Sequence, residues 1–195
     1  MAEYKGVMAY CEVTDGKLGA IGTELLGGGR KLADDLGEEL TAVLVGSGVG
    51  GLAQEAIAFG AEKVYVVDDP LLKDYQTDSY VAVMEKVVKQ VMPRVLMLGQ
   101  TTTGRDLVPR LAFRLNTAAS LDCLELSIDP DSKALLQTKP VYGGNAYAVF
   151  TTEYHPQIVT ARLKSMSPLE RDDSRKGEII NIEAALDPSD RKSVV

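Results

Sequence analysis

Four short, largely apolar runs, each followed by a segment of helical periodicity, restrict this chain more than any other feature. The runs are Val7-Met-Ala-Tyr-Cys-Glu-Val13, Thr41-Ala-Val-Leu-Val45, Glu62-Lys-Val-Tyr-Val-Val67 and Val95-Leu-Met-Leu98. A strand with little polar alternation is covered on both faces, which is the situation of a parallel sheet between two layers of helices. Helices are expected at residues 23–36, from the glycine turn after Val45 through Phe59, at residues 78–91 and after Gly99. Strands alternating with helices through short links imply right-handed crossovers and an α/β three-layer sandwich.

The last of these units is the most informative. Gly99 ends the strand, and Leu107, Val108, Leu111, Ala112 and Leu115 then recur at helical spacing, leaving Arg110 and Arg114 on the outer side. Proline is tolerated in a first helical turn and not deeper, so Pro109 places the expected N-cap near Asp106. A polar turn at the carboxyl end of a parallel strand, beside a helix N-terminus, is where open α/β sheets bind anions. Thr102, Thr103, Gly104, Arg105 and Asp106 are therefore candidate nucleotide or subunit contacts. The competing reading is that the threonines only cap and turn the chain while Arg105 and Asp106 form a surface pair.

Glycines raise two further questions. Gly27-Gly28-Gly29 interrupts the first helical segment, so that helix is either broken or pressed close against a neighbour. Gly46, Gly48 and Gly51 match GxGxxG after a strand, with Asp68 and Asp69 where a ribose-binding acid would lie; the motif sits in the second strand-helix turn and also serves simple tight turns. A nicotinamide-dependent oxidoreductase would rest on this motif alone.

After Leu115 the helices stop. Runs at residues 122–128, 135–139, 146–150 and 157–162 read as strands joined by short loops, and such strands are expected to pair antiparallel and to extend the sheet. The turn between two of them holds Gly143, Gly144 and Asn145. These either bring backbone close to a ligand or partner, or merely permit positive φ. His155 is the sole histidine, and no serine, cysteine or carboxylate constellation points to it. Cys11 and Cys123 lie in apolar runs without CxxC spacing and are expected as buried free thiols, with no disulfide, metal or nucleophilic role. From Ser165 the composition turns polar and reads as a linker, with an edge strand at Ile179-Ile-Asn-Ile182 and too little apolar surface in the tail to Val195 to fold alone.

At 195 residues the chain can bury a real core. A net charge of −7 argues against nucleic acid. No apolar run approaches a bilayer span and no signal pattern opens the chain, so the cytoplasm or a comparable soluble compartment, such as a mitochondrial matrix, is expected.

The residues Gly99-Gln-Thr-Thr-Thr-Gly-Arg-Asp-Leu-Val-Pro-Arg-Leu-Ala-Phe-Arg-Leu115, Lys139-Pro-Val-Tyr-Gly-Gly-Asn-Ala146, Val159-Thr-Ala-Arg162 and Ser174-Arg-Lys-Gly-Glu-Ile179 carry a family resemblance across nearly the whole chain. The chain resembles the N-terminal domain of the electron transfer flavoprotein α-subunit family. The resemblance implies an adenine nucleotide α-hydrolase-like sandwich at residues 1–164, then a linker and edge strand at residues 165–195 leading to an FAD domain that this chain lacks. It implies an electron transfer flavoprotein β subunit as partner, flavoprotein dehydrogenases as donors reached through the complex, as in fatty-acid β-oxidation, and a quinone-linked acceptor. FAD belongs to the full heterodimer and none is expected on this chain alone. The resemblance implies a carrier and scaffold, with no catalytic residue, no metal and no membrane insertion. It also places the Arg105 turn and the 142–145 turn against the β subunit or a nucleotide. A free-standing AMP- or ATP-binding protein of the same fold, using the Gly46 and Arg105 turns, is the alternative.

Overall fold

The computed structural model describes residues 3–186. Its centre is a seven-stranded sheet in the order β12-β5-β4-β1-β6-β11-β7, every neighbour pair parallel. The strands are β1 (Val7–Tyr10), β4 (Leu40–Gly46), β5 (Lys63–Asp68), β6 (Val95–Gly99), β7 (Ala119–Cys123), β11 (Gln157–Ala161) and β12 (Glu178–Asn181). Helices α1 (Ala20–Leu36) and α2 (Ala53–Ala58) cover one face, and α3 (Thr77–Val91) and α4 (Thr102–Arg114) the other. Every residue of β1, β4, β6 and β11 is buried, as the unalternating apolar runs require. Successive side chains still divide the core: Val7 and Ala9 join the α1 layer, Met8 and Tyr10 the α3–α4 layer.

The first apolar run ends early. Beyond Tyr10 the chain leaves the sheet for a two-stranded hairpin of β2 (Val13–Thr14) and β3 (Lys17–Leu18). Helix α1 runs unbroken through its three glycines, because they are contact points. A Cβ on Gly29 would lie 2.8 Å from Leu40 Cδ1, and one on Gly28 would meet the Met166 side chain. A Cβ on Gly27 would overlap the Ser167 carbonyl and reach Pro168 Cα at 3.0 Å. The polar segment after Ser165 is thus seated against α1. Its Asp172 amide donates to Ala58 O at 3.0 Å, and the segment then forms β12 beside β5. The expected edge strand at residues 179–182 is found at Glu178–Asn181; the tail expectation for residues 187–195 lies outside the described residues.

The antiparallel part needs correction in detail. β8 (Glu125–Ile128), β9 (Leu135–Val141) and β10 (Ala146–Phe150) do pair antiparallel, but in a small sheet of their own, ordered β10-β9-β8. β11, read as a member of that set, belongs to the central sheet and runs parallel, as does β7, which takes in only residues 122 and 123 of the run at 122–128. The run at residues 122–128 divides at Leu124, between β7 and β8, and Asp122, whose φ is +65° and whose amide donates to Thr160 Oγ1 at 2.9 Å, stands where the register of β7 against β11 shifts. Short loops force antiparallel pairing only between strands adjacent in the sheet; here the hairpin stands where a crossover helix would otherwise join β7 to β11.

Candidate functional site

Chain order fixes where a site can form. From β1 the chain steps outward to β4 and β5, then returns past β1 to β6, so the direction reverses between β1 and β6. The crevice outside their carboxyl ends is the favoured ligand position of such a sheet. Glu12 enters it after β1, Gln100 and Thr101 after β6.

Helix α4 starts at Thr102, with Thr101 as its N-cap, accepting from the Gly104 amide at 3.0 Å. The expected cap near Asp106 is therefore displaced, and Pro109 lies inside the helix. The reason is the contact at Gly104. This residue is packed so tightly on the Gly99 carbonyl that strand and helix join in the fewest residues, and the threonine cap becomes available before the proline can set the boundary. Thr101 Oγ1 in turn donates to Glu12 Oε1 at 2.6 Å. Burial pushes the Glu12 carboxyl above its ordinary range, against the opposing pull of that hydrogen bond. A carboxylate of the chain itself thus stands beside the first turn of α4, where an incoming anion would be placed.

The second phosphate-like turn is filled in the same way. Asp68, at the end of β5, accepts from the Gly48 amide at 2.7 Å and from the Gly50 amide at 3.0 Å. The parallel register sets Gly46 opposite Asp68, which brings this carboxylate over the glycine loop. The acid that the motif would assign to a ribose serves as the loop's own anion, and the helix that follows has only six residues.

The expected site residues separate. Thr102 and Arg105 are exposed, Thr103 is half-buried and Gly104 is buried beneath them. Asp106 turns toward α3, where it accepts from Tyr75 OH at 2.7 Å and Thr77 Oγ1 at 2.5 Å; its ion pair is with Arg110 at 3.4 Å, not with Arg105. The Thr77 and Tyr75 hydrogen bonds hold its carboxyl below the usual range, and the Tyr75 hydroxyl is raised, by burial first and by Asp106 second. The 142–145 turn is the exposed tip of the β9–β10 hairpin. Gly143 and Gly144 have φ of +67° and +91° with no atom within 4 Å of a Cβ, and Asn145 Nδ2 donates to Tyr142 O at 2.9 Å. Within this chain these glycines answer the positive-φ reading and make no close approach.

Sequence reasoning missed a pair at the ends of β7 and β11. Arg162 donates to both oxygens of Asp122, at 2.8 and 2.7 Å, and Thr160 Oγ1 hydrogen-bonds Gln100 Oε1 while accepting from the Asp122 amide. No local signal could have joined positions 122 and 162, which meet only through the sheet. Cys11 and Cys123 are free and buried, and burial pushes their thiols up to about 12 and about 11. His155 lies 5.6 Å, centroid to centroid, from the Tyr4 ring.

Three cavities lie away from the crevice, one of them, of about 380 Å³, between α3 and α4 beside Val81, Pro109 and Phe113. One of about 750 Å³ opens at the amino ends of the strands among Glu38, Glu39, Glu62 and Lys63, and one of about 270 Å³ lies between α1, β8 and residues 165–167. Among the described residues, no helix is long and apolar enough to cross a membrane.

Comparison with known proteins gives one consistent family. The electron transfer flavoprotein domain model matches residues 7–187. The chain is 41% identical over 196 aligned positions to the electron transfer flavoprotein subunit alpha of Thermoanaerobacterium thermosaccharolyticum, covering 100% of this chain and 59% of that protein. It is 42% identical over 191 positions to the subunit alpha of Megasphaera elsdenii, covering 97% and 56%. It is 40% identical over 181 positions to Protein FixB of Azorhizobium caulinodans, covering 91% and 49%. The chain spans about half the length of the curated relatives it matches. On the domain match and these identities over nearly its whole length, the chain belongs to the electron transfer flavoprotein domain family and is similar to its α subunits.

Proposed function

We propose that this chain is a scaffold and subunit-interaction domain of a heterodimeric FAD electron carrier. Its partner is a β subunit, its donors are flavoprotein dehydrogenases reached through the complex, and its acceptor is quinone-linked. In this reading residues 1–164 are the interaction domain and residues 165–195 lead toward the part of an α subunit that holds FAD. FAD supplies the electron-carrying chemistry when bound in the full heterodimer; this domain makes and breaks no bonds. It works in the cytoplasm or another soluble compartment and has no nucleic-acid partner.

One observation carries the reading. Both turns that could cradle a phosphate, Gly48–Gly50 and Thr101–Gly104, already hold or adjoin a carboxylate of the chain itself, Asp68 and Glu12. A second anion in either place would meet like charge at close range. These residues do not fit a dinucleotide, whereas large apolar side chains stand exposed on the β9–β10 hairpin: Tyr142, Tyr147, Val149 and Phe150. Exposed aromatic surface of that extent suits assembly.

Absorbance spectroscopy and calorimetry test the reading. The purified chain is expected to show no flavin band and to give no binding heat with AMP or ATP, and flavin is expected only with the β subunit and a full-length α subunit. Saturable micromolar nucleotide binding that Arg105→Ala abolishes would instead establish the free-standing nucleotide-binding alternative.

A further inference from the structure

The sulfur atoms of this chain differ in what they can meet. Met8, Met84 and Met97 are fully buried, and so are both cysteines, which burial also holds as unreactive thiols. Among the described residues only Met92 and Met166 are half-buried methionines. The Met166 side chain lies along helix α1 at Gly28. A Cβ on that glycine would overlap Met166 Sδ and come within 3.2 Å of Cγ and 3.4 Å of Cε. The thioether therefore fills the space of the missing side chain, and it packs against the core layer under α1. It also lines the cavity of about 270 Å³, together with Leu124, Leu126, Ser165 and Ser167. One water needs only about 15 Å³ of such space, so a hydroperoxide fits beside the sulfur.

We propose that Met166 is a site of reversible sulfoxidation by hydroperoxides, and that the sulfoxide unseats the segment after Ser165 from helix α1. The inference stands apart from the subunit reading above. In the reaction the sulfur lone pair attacks one peroxide oxygen, an S–O bond forms and the O–O bond breaks. The hydroxide that leaves takes the proton of the transferred oxygen and becomes water, so sulfur is oxidised by two electrons and the peroxide is reduced. The product is a polar side chain in an apolar seat. Its oxygen needs a donor, yet Gly28 lies inside α1, where the backbone amides are already used within the helix. The side chain must turn away, and it draws Ser167 and Pro168 off Gly27, which they touch. The opening stays local, because Asp172 N and Arg175 Nη1 both hold Ala58 O, at 3.0 and 2.6 Å.

Treatment of the purified chain with dilute hydrogen peroxide, followed by peptide mass mapping, tests the proposal. Met166 is expected to gain one oxygen at least about tenfold faster than Met8, Met84 and Met97. Limited trypsin digestion of the oxidised, still folded chain should then cut about tenfold faster after Lys164 and Arg171, the sites flanking Met166. Methionine sulfoxide reductase is expected to restore both the mass and the slow digestion. Met166→Leu should digest like the untreated wild type and ignore peroxide, whereas Met166→Gln should digest fast without peroxide; circular dichroism checks that both fold. Met92→Leu should leave the whole response in place. Oxidation of Met166 no faster than that of the buried methionines overturns the site. Unchanged cleavage of the Met166 sulfoxide, or an acceleration that survives Met166→Leu, overturns the unseating.

Discussion

Gly104→Ala is the most direct test of how the candidate turn is built. A Cβ at this position would overlap the Gly99 carbonyl oxygen, with the Gly99 carbonyl carbon at 3.1 Å and Thr101 Oγ1 at 3.5 Å. A Cβ comes essentially never within 3.0 Å of a backbone atom it packs against, so strand β6 and helix α4 must part by roughly 1 Å. They cannot part freely, because Leu107, Val108 and Leu111 on the same helix are fully buried. Overpacking of this kind costs about 1–3 kcal/mol, and drawing the Gly104 amide off Thr101 costs about 1 kcal/mol more. Alanine returns about 1 kcal/mol through helix propensity. The net expectation is about 1–3 kcal/mol of destabilisation, or a Tm lower by roughly 2–12 °C for a domain of this size. Thermal unfolding by circular dichroism measures it, with Gly51→Ala as control, since a Cβ there meets nothing within 4 Å. If the Gly104 variant stays within about 0.5 kcal/mol of wild type, the close approach of helix and strand is wrong, and the glycine is free to serve a ligand.

Three further substitutions probe separate parts of the argument. The folded state raises the Glu12 pKa, so it binds that proton more tightly than the unfolded chain and loses stability as pH rises from the unfolded value through the folded one. Glu12→Gln, which keeps an acceptor for Thr101, is therefore expected to be more stable than wild type at pH 7, with the difference closing in urea titrations below about pH 4. The folded state lowers the Asp106 pKa, so its contribution is present at neutral pH and lost as pH falls through the folded value. Asp106→Ala should cost about 1–3 kcal/mol at pH 7, measured by urea unfolding, and the gap to wild type should narrow in acid. Gly27→Ala pushes on the Ser167 carbonyl, and faster tryptic cleavage at Arg171 and Arg175 is the expected sign that the segment after Ser165 has lifted; an unchanged digestion pattern would refute the seating described for α1.

The sequence by itself determined the parallel core, the helices of both layers, the buried thiols and, one residue late, the edge strand, read at residues 179–182 and found at Glu178–Asn181, because each is written in local periodicity or local composition. It also marked the Gly99–Leu115 unit as distinctive. The family resemblance rested on that unit and on segments further along the chain, and the domain match over residues 7–187 agrees with it. What only the tertiary structure decided is what each polar residue faces. Asp68 reads locally as a ribose ligand and becomes the anion of the Gly48–Gly50 loop through the register of β4 and β5. Asp106 reads as a cap and becomes a clamp on Tyr75 and Thr77. Asp122 and Arg162, forty positions apart, become a bidentate pair because β11 inserts between β6 and β7. A strand's apolar pattern records that it is buried, while its neighbours are chosen by the whole sheet; partners that arise from that choice leave no trace in either stretch of sequence alone.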